Sequence, residues 1–108
     1  MAVLVIAEHD NNILKTSTLN TITAATKLSD DIDLLILGKD IETLSNNAKT
    51  IHPIKKILKC DNSKLENFIP ELSAPIISNI ASGYSHILAP ASTFGKNLLP
   101  RVSALLDV

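Results

Sequence analysis

The chain has 108 residues, 45% hydrophobic and 19% charged, a composition that suits one folded domain and lies far from that of disordered chains. Ten basic against eleven acidic residues leave a net charge of −1, so no overall field draws the chain to nucleic acid or an anionic membrane. The aromatics Phe68, Tyr84 and Phe94 are too dispersed for a base-stacking platform, and a lone Cys60 excludes an internal disulfide or a cysteine-built zinc cluster.

Ala2 to Ala7 is a continuous apolar run, too short for a helix and rich in β-branched residues, which reads as a strand buried on both faces. No basic leader precedes it and no run reaches membrane length, so the expectation is a cytoplasmic chain without membrane insertion. Leu19, Ile22 and Ala25 then recur at three-residue intervals, predicting a helix from about Thr18 to near Ser29 with these residues on its inner side. Asp30 and Asp31 mark a turn, and Ile32 to Leu37 is a second buried strand closed by Gly38. Asp40 stands where an N-cap would serve the next helix, whose apolar stripe is Ile41, Leu44, Ala48 and Ile51 and which Pro53 stops. Lys55 to Cys60 is a third strand interrupted by lysines, with the Cys60 thiol partly buried near its end. A third helix is expected over Ser63 to Ala81, kinked or divided by Pro70 and Pro75. Ser85 to Ala89 is the fourth strand, and a last helix capped by Ser92 or Thr93 carries Leu98, Val102 and Leu105 on its apolar face.

Four repeats of strand then helix predict an α/β fold, a doubly wound parallel sheet with helices on both faces. In related folds the strand order is 3-2-1-4, which leaves Ser85 to Ala89 at an edge with no lysine to blunt it; a homodimer of the isolated chain, or a need for a partner subunit, follows. Ligands of such sheets sit beyond the carboxyl ends of the strands. There the loop Glu8 to Asn12 lacks the glycines of a dinucleotide fingerprint. The loop Ala89 to Lys96 offers Ser92, Thr93, Gly95 and Lys96 to an anion, but Pro90 and Asn97 stand where a P-loop needs Gly and Ser or Thr, and a helix cap is the plainer reading. His9 with Glu8, Asp10 and His86 suggests a metal or acid-base cluster only if the first and fourth strands are adjacent; no third ligand or nucleophile can be named. His52 reads as a helix end. Ser85 and Ser92 lack a nucleophile elbow, and Lys55, Lys56, Lys59 and Lys64 read as a solvated surface beside Asp61 and Glu66. No catalytic, cofactor-binding or metal-binding residue is therefore assigned.

The run from Tyr84-Ser85-His86-Ile87-Leu88-Ala89-Pro90 through Phe94-Gly95-Lys96 and Leu99-Pro100-Arg101 to Val108 closely resembles the α subunit of electron-transfer flavoproteins. Leu4-Val5-Ile6-Ala7-Glu8-His9, Leu14-Lys15, Thr18 to Thr21 and Ala24-Ala25 resemble the opening of the same subunit. The resemblance implies a heterodimer with a β subunit. It carries electrons on bound FAD from flavin dehydrogenases, such as those of fatty acid oxidation that act on acyl-CoA, to a quinone reductase and the respiratory chain. It also implies that residues 1–108 are part of an N-terminal α/β domain, similar to adenine-nucleotide-hydrolase and Rossmann folds and incomplete at its C-terminus. That domain acts as scaffold and subunit interface, and FAD lies in a C-terminal domain. No FAD is then expected on this chain alone, and the chain is an electron-carrier piece rather than an enzyme. The alternative from the residues is a free-standing small nucleotide-binding module of the universal-stress type.

Overall fold

The structure, a computed structural model, describes residues 2–10, 13–51, 54–66, 70–90, 96–100 and 102. Its elements follow in order: β1 (Val3–Ile6), α1 (Thr16–Ala25), β2 (Ile32–Gly38), α2 (Glu42–Ala48), β3 (Ile54–Asp61), α3 (Pro70–Ile80) and β4 (His86–Leu88). Single 3-10 turns occupy Ser63–Leu65 and Ala81–Gly83, and residues 96–100 are helical again. The four strands form one parallel sheet in the order β3-β2-β1-β4, with Val3 paired to Ile32 on one side and to His86 on the other.

Alternation along the strands sends residues to two cores. Val3, Val5, Ile32, Leu34 and Ile36 face α1 and α2, which cover them with Ile22, Ala25, Ile41, Leu44 and Ala48. Leu4, Ile6 and Leu35 face the other way, against Ala74 and Ile77 of α3 and against Leu98 and Val102. Each fully buried Leu or Ile contributes about 1.5–3 kcal/mol, which is why β1 and β2 read as nearly unbroken apolar runs. The doubly wound parallel sheet is thus the fold that the strand-helix alternation predicts.

Several local expectations are corrected. The buried stripe of α1 is Thr18, Ile22 and Ala25, while Leu19 is 41% exposed. Thr18 is fully buried because its hydroxyl donates to the Glu8 carbonyl at 2.9 Å and accepts the Glu8 N–H at 2.7 Å, so its polarity is satisfied inside. The helix ends at Ala25 rather than near Ser29, and 3-10-type bonds such as Leu28 N–H to the Ala25 carbonyl carry the chain into the turn.

Asp40 does not cap α2. It adopts φ 56°, the left-handed region that Asp tolerates, and the N-cap position belongs to Ile41, which has no side-chain cap. The Asp61 carboxylate at the end of β3 does the capping, accepting the Asp40 N–H at 2.8 Å and the Ile41 N–H at 3.1 Å. The expected long third helix is divided: the Ser63–Leu65 turn precedes α3, which is described from Pro70, and Pro75 is accommodated inside it. The Pro53 stop, the Ser92 or Thr93 cap and Leu105 lie outside the described residues.

Candidate functional site

The carboxyl end of the sheet is where this fold class places ligands. Among the described residues the ends of β1 and β2 there are tied together by the chain's own groups, while a cleft of about 450 Å³ lined by Ser17, Asn20, Thr21, Ala24, Leu88 and Ala89 lies beside the end of β4. After β1, His9 bridges antiparallel to Leu14, the Asp10 N–H donates to the Ile13 carbonyl, and the Asp10 Oδ1 accepts the Ile13 N–H at 2.9 Å. His9 Nε2 lies 2.8 Å from the Leu37 carbonyl at the end of β2, so its ring joins two strand ends. Gly38 lets that ring close in, since a Cβ there would sit 2.8 Å from Ile41 Cγ2 and 3.1 Å from His9 Cε1.

At this end the N-termini of α1 and α2 each lie beside a carboxylate. Glu8 lies at the first turn of α1, where its side chain, 15% exposed, accepts the Ser17 hydroxyl at 2.9 Å and pairs with Lys15 at 3.8 Å. Asp61 takes the entry amides of α2, as described above. A phosphate arriving at either terminus would meet negative charge where a nucleotide-binding fold offers bare amides. Farther along the rim Lys39 pairs with Glu66 at 3.8 Å, and Lys59 pairs with Glu42, whose carboxyl it holds below the ordinary range. The anion loop proposed around Thr93 and Gly95 lies outside the described residues; Lys96 is exposed at the start of the helical residues that follow.

His9 and His86 do not form a cluster. β1 and β4 are adjacent as expected, but His86 pairs with Val3 at the amino end of the sheet, whereas His9 follows β1 at the carboxyl end. His86 Nδ1 contacts the Ser85 hydroxyl at 3.1 Å, and that hydroxyl also donates to the Ala2 carbonyl at 3.2 Å. Among the described residues no group of His, Cys, Asp or Glu could hold a metal. Cys60 is half-buried, and the Ser85 hydroxyl is shared between His86 Nδ1 and the Ala2 carbonyl at the amino end of the sheet.

One constellation escaped the sequence reading. At the amino end of β2 the Asp33 carboxylate, 5% exposed, accepts the Tyr84 hydroxyl at 2.7 Å and lies 3.6 Å from Lys56 Nζ on β3. Burial, then the hydrogen bond to Asp33 and its charge, push the Tyr84 hydroxyl pKa well above its ordinary value of 10.0. These groups border a cleft of about 400 Å³ together with Ala2, Asp31, Lys55 and Gly83. The only sequence signal was a single Asp inside the apolar run Ile32 to Leu37, at a position whose neighbours on the same face, Leu35 and Leu37, point inward.

The electron transfer flavoprotein domain model matches residues 3–108. Electron transfer flavoprotein subunit alpha of Pseudomonas aeruginosa is 46% identical over 108 residues, covering 100% of this chain and 35% of that protein. The mitochondrial subunits alpha of Dictyostelium discoideum and Arabidopsis thaliana are 44% and 38% identical, covering 97% and 100% of this chain and 32% of each relative. The chain therefore spans about a third of the length of these relatives. Among the described residues no helix is long and apolar enough to cross a membrane. Matched by the family model from Val3 to its last residue, on a parallel sheet of the expected order, the chain belongs to the electron transfer flavoprotein family.

Proposed function

We propose that residues 1–108 are the scaffold and subunit-interface part of the N-terminal domain of an electron-transfer flavoprotein α subunit. Its partner is the β subunit. The assembled heterodimer carries electrons on FAD from flavin dehydrogenases, such as acyl-CoA dehydrogenases of fatty acid oxidation, to a quinone reductase. FAD is held by parts of the assembly outside these residues, and this chain supplies no catalytic group. We place it in the cytoplasm, from the lone cysteine and the polar residues that follow β1; two of the relatives named above are called mitochondrial.

The observation that carries the scaffold reading is the pair of carboxylates beside the N-termini of α1 and α2: Glu8 accepts the Ser17 hydroxyl, and Asp61 accepts the Asp40 and Ile41 amides. Their negative charge at these two termini favours a scaffold role over a nucleotide site there. The family match supplies the electron-carrier context. The test is purification of the chain alone and with the β subunit, followed by visible absorption and calorimetry with AMP, ATP and FAD. The expected chain alone is colourless, binds none of the three, and co-elutes with the β subunit. Micromolar nucleotide binding that is lost in Lys96→Ala would move the assignment to the free-standing nucleotide module.

A further inference from the structure

The sheet has two unlike edges. β4 at one end is short and apolar, with Ile87 and Leu88 half-buried, whereas β3 at the other carries Lys55, Lys56 and Lys59 in one strand. Two of these lysines are neutralised within the chain, Lys56 by Asp33 and Lys59 by Glu42. Lys55 is not in an ion pair among the described residues, and neither is Lys49 at the C-cap of α2, which acts on Glu42 only at longer range. These two exposed ammonium groups border a cleft of about 270 Å³ whose other lining residues are Ile54 and Ile57, both half-buried. No carboxylate lines it.

We propose that this outer edge of β3 is a docking strip for an extended acidic segment of a partner protein. Among the described residues no strand covers the edge, and beyond the register shift that skips Lys55 its regular stretch from Lys56 to Asp61 can receive an added strand. Ile54 and Ile57 offer shallow apolar seats, and the charges of Lys49 and Lys55, the latter also bordering the Asp31 and Asp33 cleft but in no ion pair among the described residues, select a carboxylate-bearing segment through complementarity. A second copy of this chain is the wrong occupant, because edge-to-edge pairing would bring the lysine rows of two β3 strands together. The same lysines that prevent self-association therefore specify the partner.

A fluorescent synthetic peptide alternating Glu with Val, followed by anisotropy on the intact chain, tests this. Saturable binding below about 1 mM is expected, weakening as salt is raised over a range in which the Debye length falls below about 10 Å. Lys49→Glu with Lys55→Glu should weaken it by about tenfold or more, since two favourable exposed pairs become two repulsive ones. Lys27→Glu with Lys96→Glu, an equal charge change at exposed positions elsewhere, should leave it within about twofold. Urea midpoints establish that the variants fold, and the milder Lys49→Gln with Lys55→Gln pair replaces the reversal if that one does not. Absence of binding, equal loss in the two double variants, equal binding of a Lys/Val peptide, or tighter binding of a single-stranded oligonucleotide would each overturn the proposal.

Discussion

Tyr84→Phe removes one oxygen and tests whether the buried carboxylate at the amino end of the sheet depends on it. Asp33 is on β2 and Tyr84 lies two residues before β4, so the 2.7 Å bond ties the entry of β4 across β1 to the sheet's interior. A hydrogen bond to a charged group is worth about 1.5–3 kcal/mol, and the residual contact of Asp33 with Lys56 is a long one to a side chain 64% exposed. We therefore expect a loss of about 2 kcal/mol, or roughly 8–16 °C in Tm for a domain of this size. Urea denaturation followed by far-ultraviolet circular dichroism reads it, with an unchanged m-value as the sign that the unfolded reference has not moved. In a double-mutant cycle Tyr84 and Asp33 should couple at about that value, while Lys56 and Asp33 should couple by less than about 1 kcal/mol.

Alkaline titration gives an independent reading, because Tyr84 is the only tyrosine and there is no tryptophan. The folded hydroxyl ionises above its ordinary value of 10.0, whereas the unfolded one does not. Above that pH the unfolded chain sheds the proton first, so stability from this group is complete below pH 10.0 and is lost as pH rises further. Near-ultraviolet tyrosinate absorbance should accordingly appear together with unfolding. A Tyr84→Phe chain within about 0.5 kcal/mol of the parent, or tyrosinate forming in the folded chain near its ordinary pKa, would refute the account.

Thr18→Val keeps shape but removes the hydroxyl that serves both backbone groups of Glu8, and should cost about 1–3 kcal/mol; Leu19→Ser, on the exposed side of the same helix, should change stability by less than about 0.5 kcal/mol, both read from urea midpoints. Asp61→Ala should cost about 0.5–2 kcal/mol by uncapping α2 from a distance, whereas Asp40→Gly should be neutral or slightly stabilising at its positive φ, and thermal melts of the pair distinguish the two roles. Sedimentation of the isolated chain at several concentrations should show dimers at about 100 μM that Ile87→Lys abolishes; a folded parent that stays monomeric would show that β4 is not an association edge.

What could be read from the sequence divides by the range of the interaction. The strands were legible because burial on both faces of a parallel sheet demands near-continuous apolar runs, as Val3 to Ile6 and Ile32 to Leu37 show. Strand order followed from topology rules and the resemblance together. The inward face of α1 was misread because Thr18 counts as polar in any periodicity, although two bonds to Glu8 make it a core residue. The cap of α2 was assigned to the nearest Asp, but the working carboxylate is 21 residues downstream and becomes a neighbour only through the pairing of Gly38 with Asp61. Asp33 and Tyr84 are 51 residues apart, and no local pattern joins them.

The remote cap on α2 also bears on the order in which the chain folds. α2 has seven residues, well short of the roughly 12–15 that an isolated helix needs to persist in water, and its entry amides are met by a carboxylate from the next strand. Until β3 has closed the loop and laid Asp61 beside Gly38, the entry amides of the helix lack their carboxylate, although β1 and β2 already offer it a packing surface. We therefore expect helix and strand to be stabilised together as a β2-α2-β3 unit. In the native state the same linkage makes them open together: amides of α2 and of β3 should exchange with solvent at a common free energy, and Asp61→Ala should speed both rather than fray the helix alone.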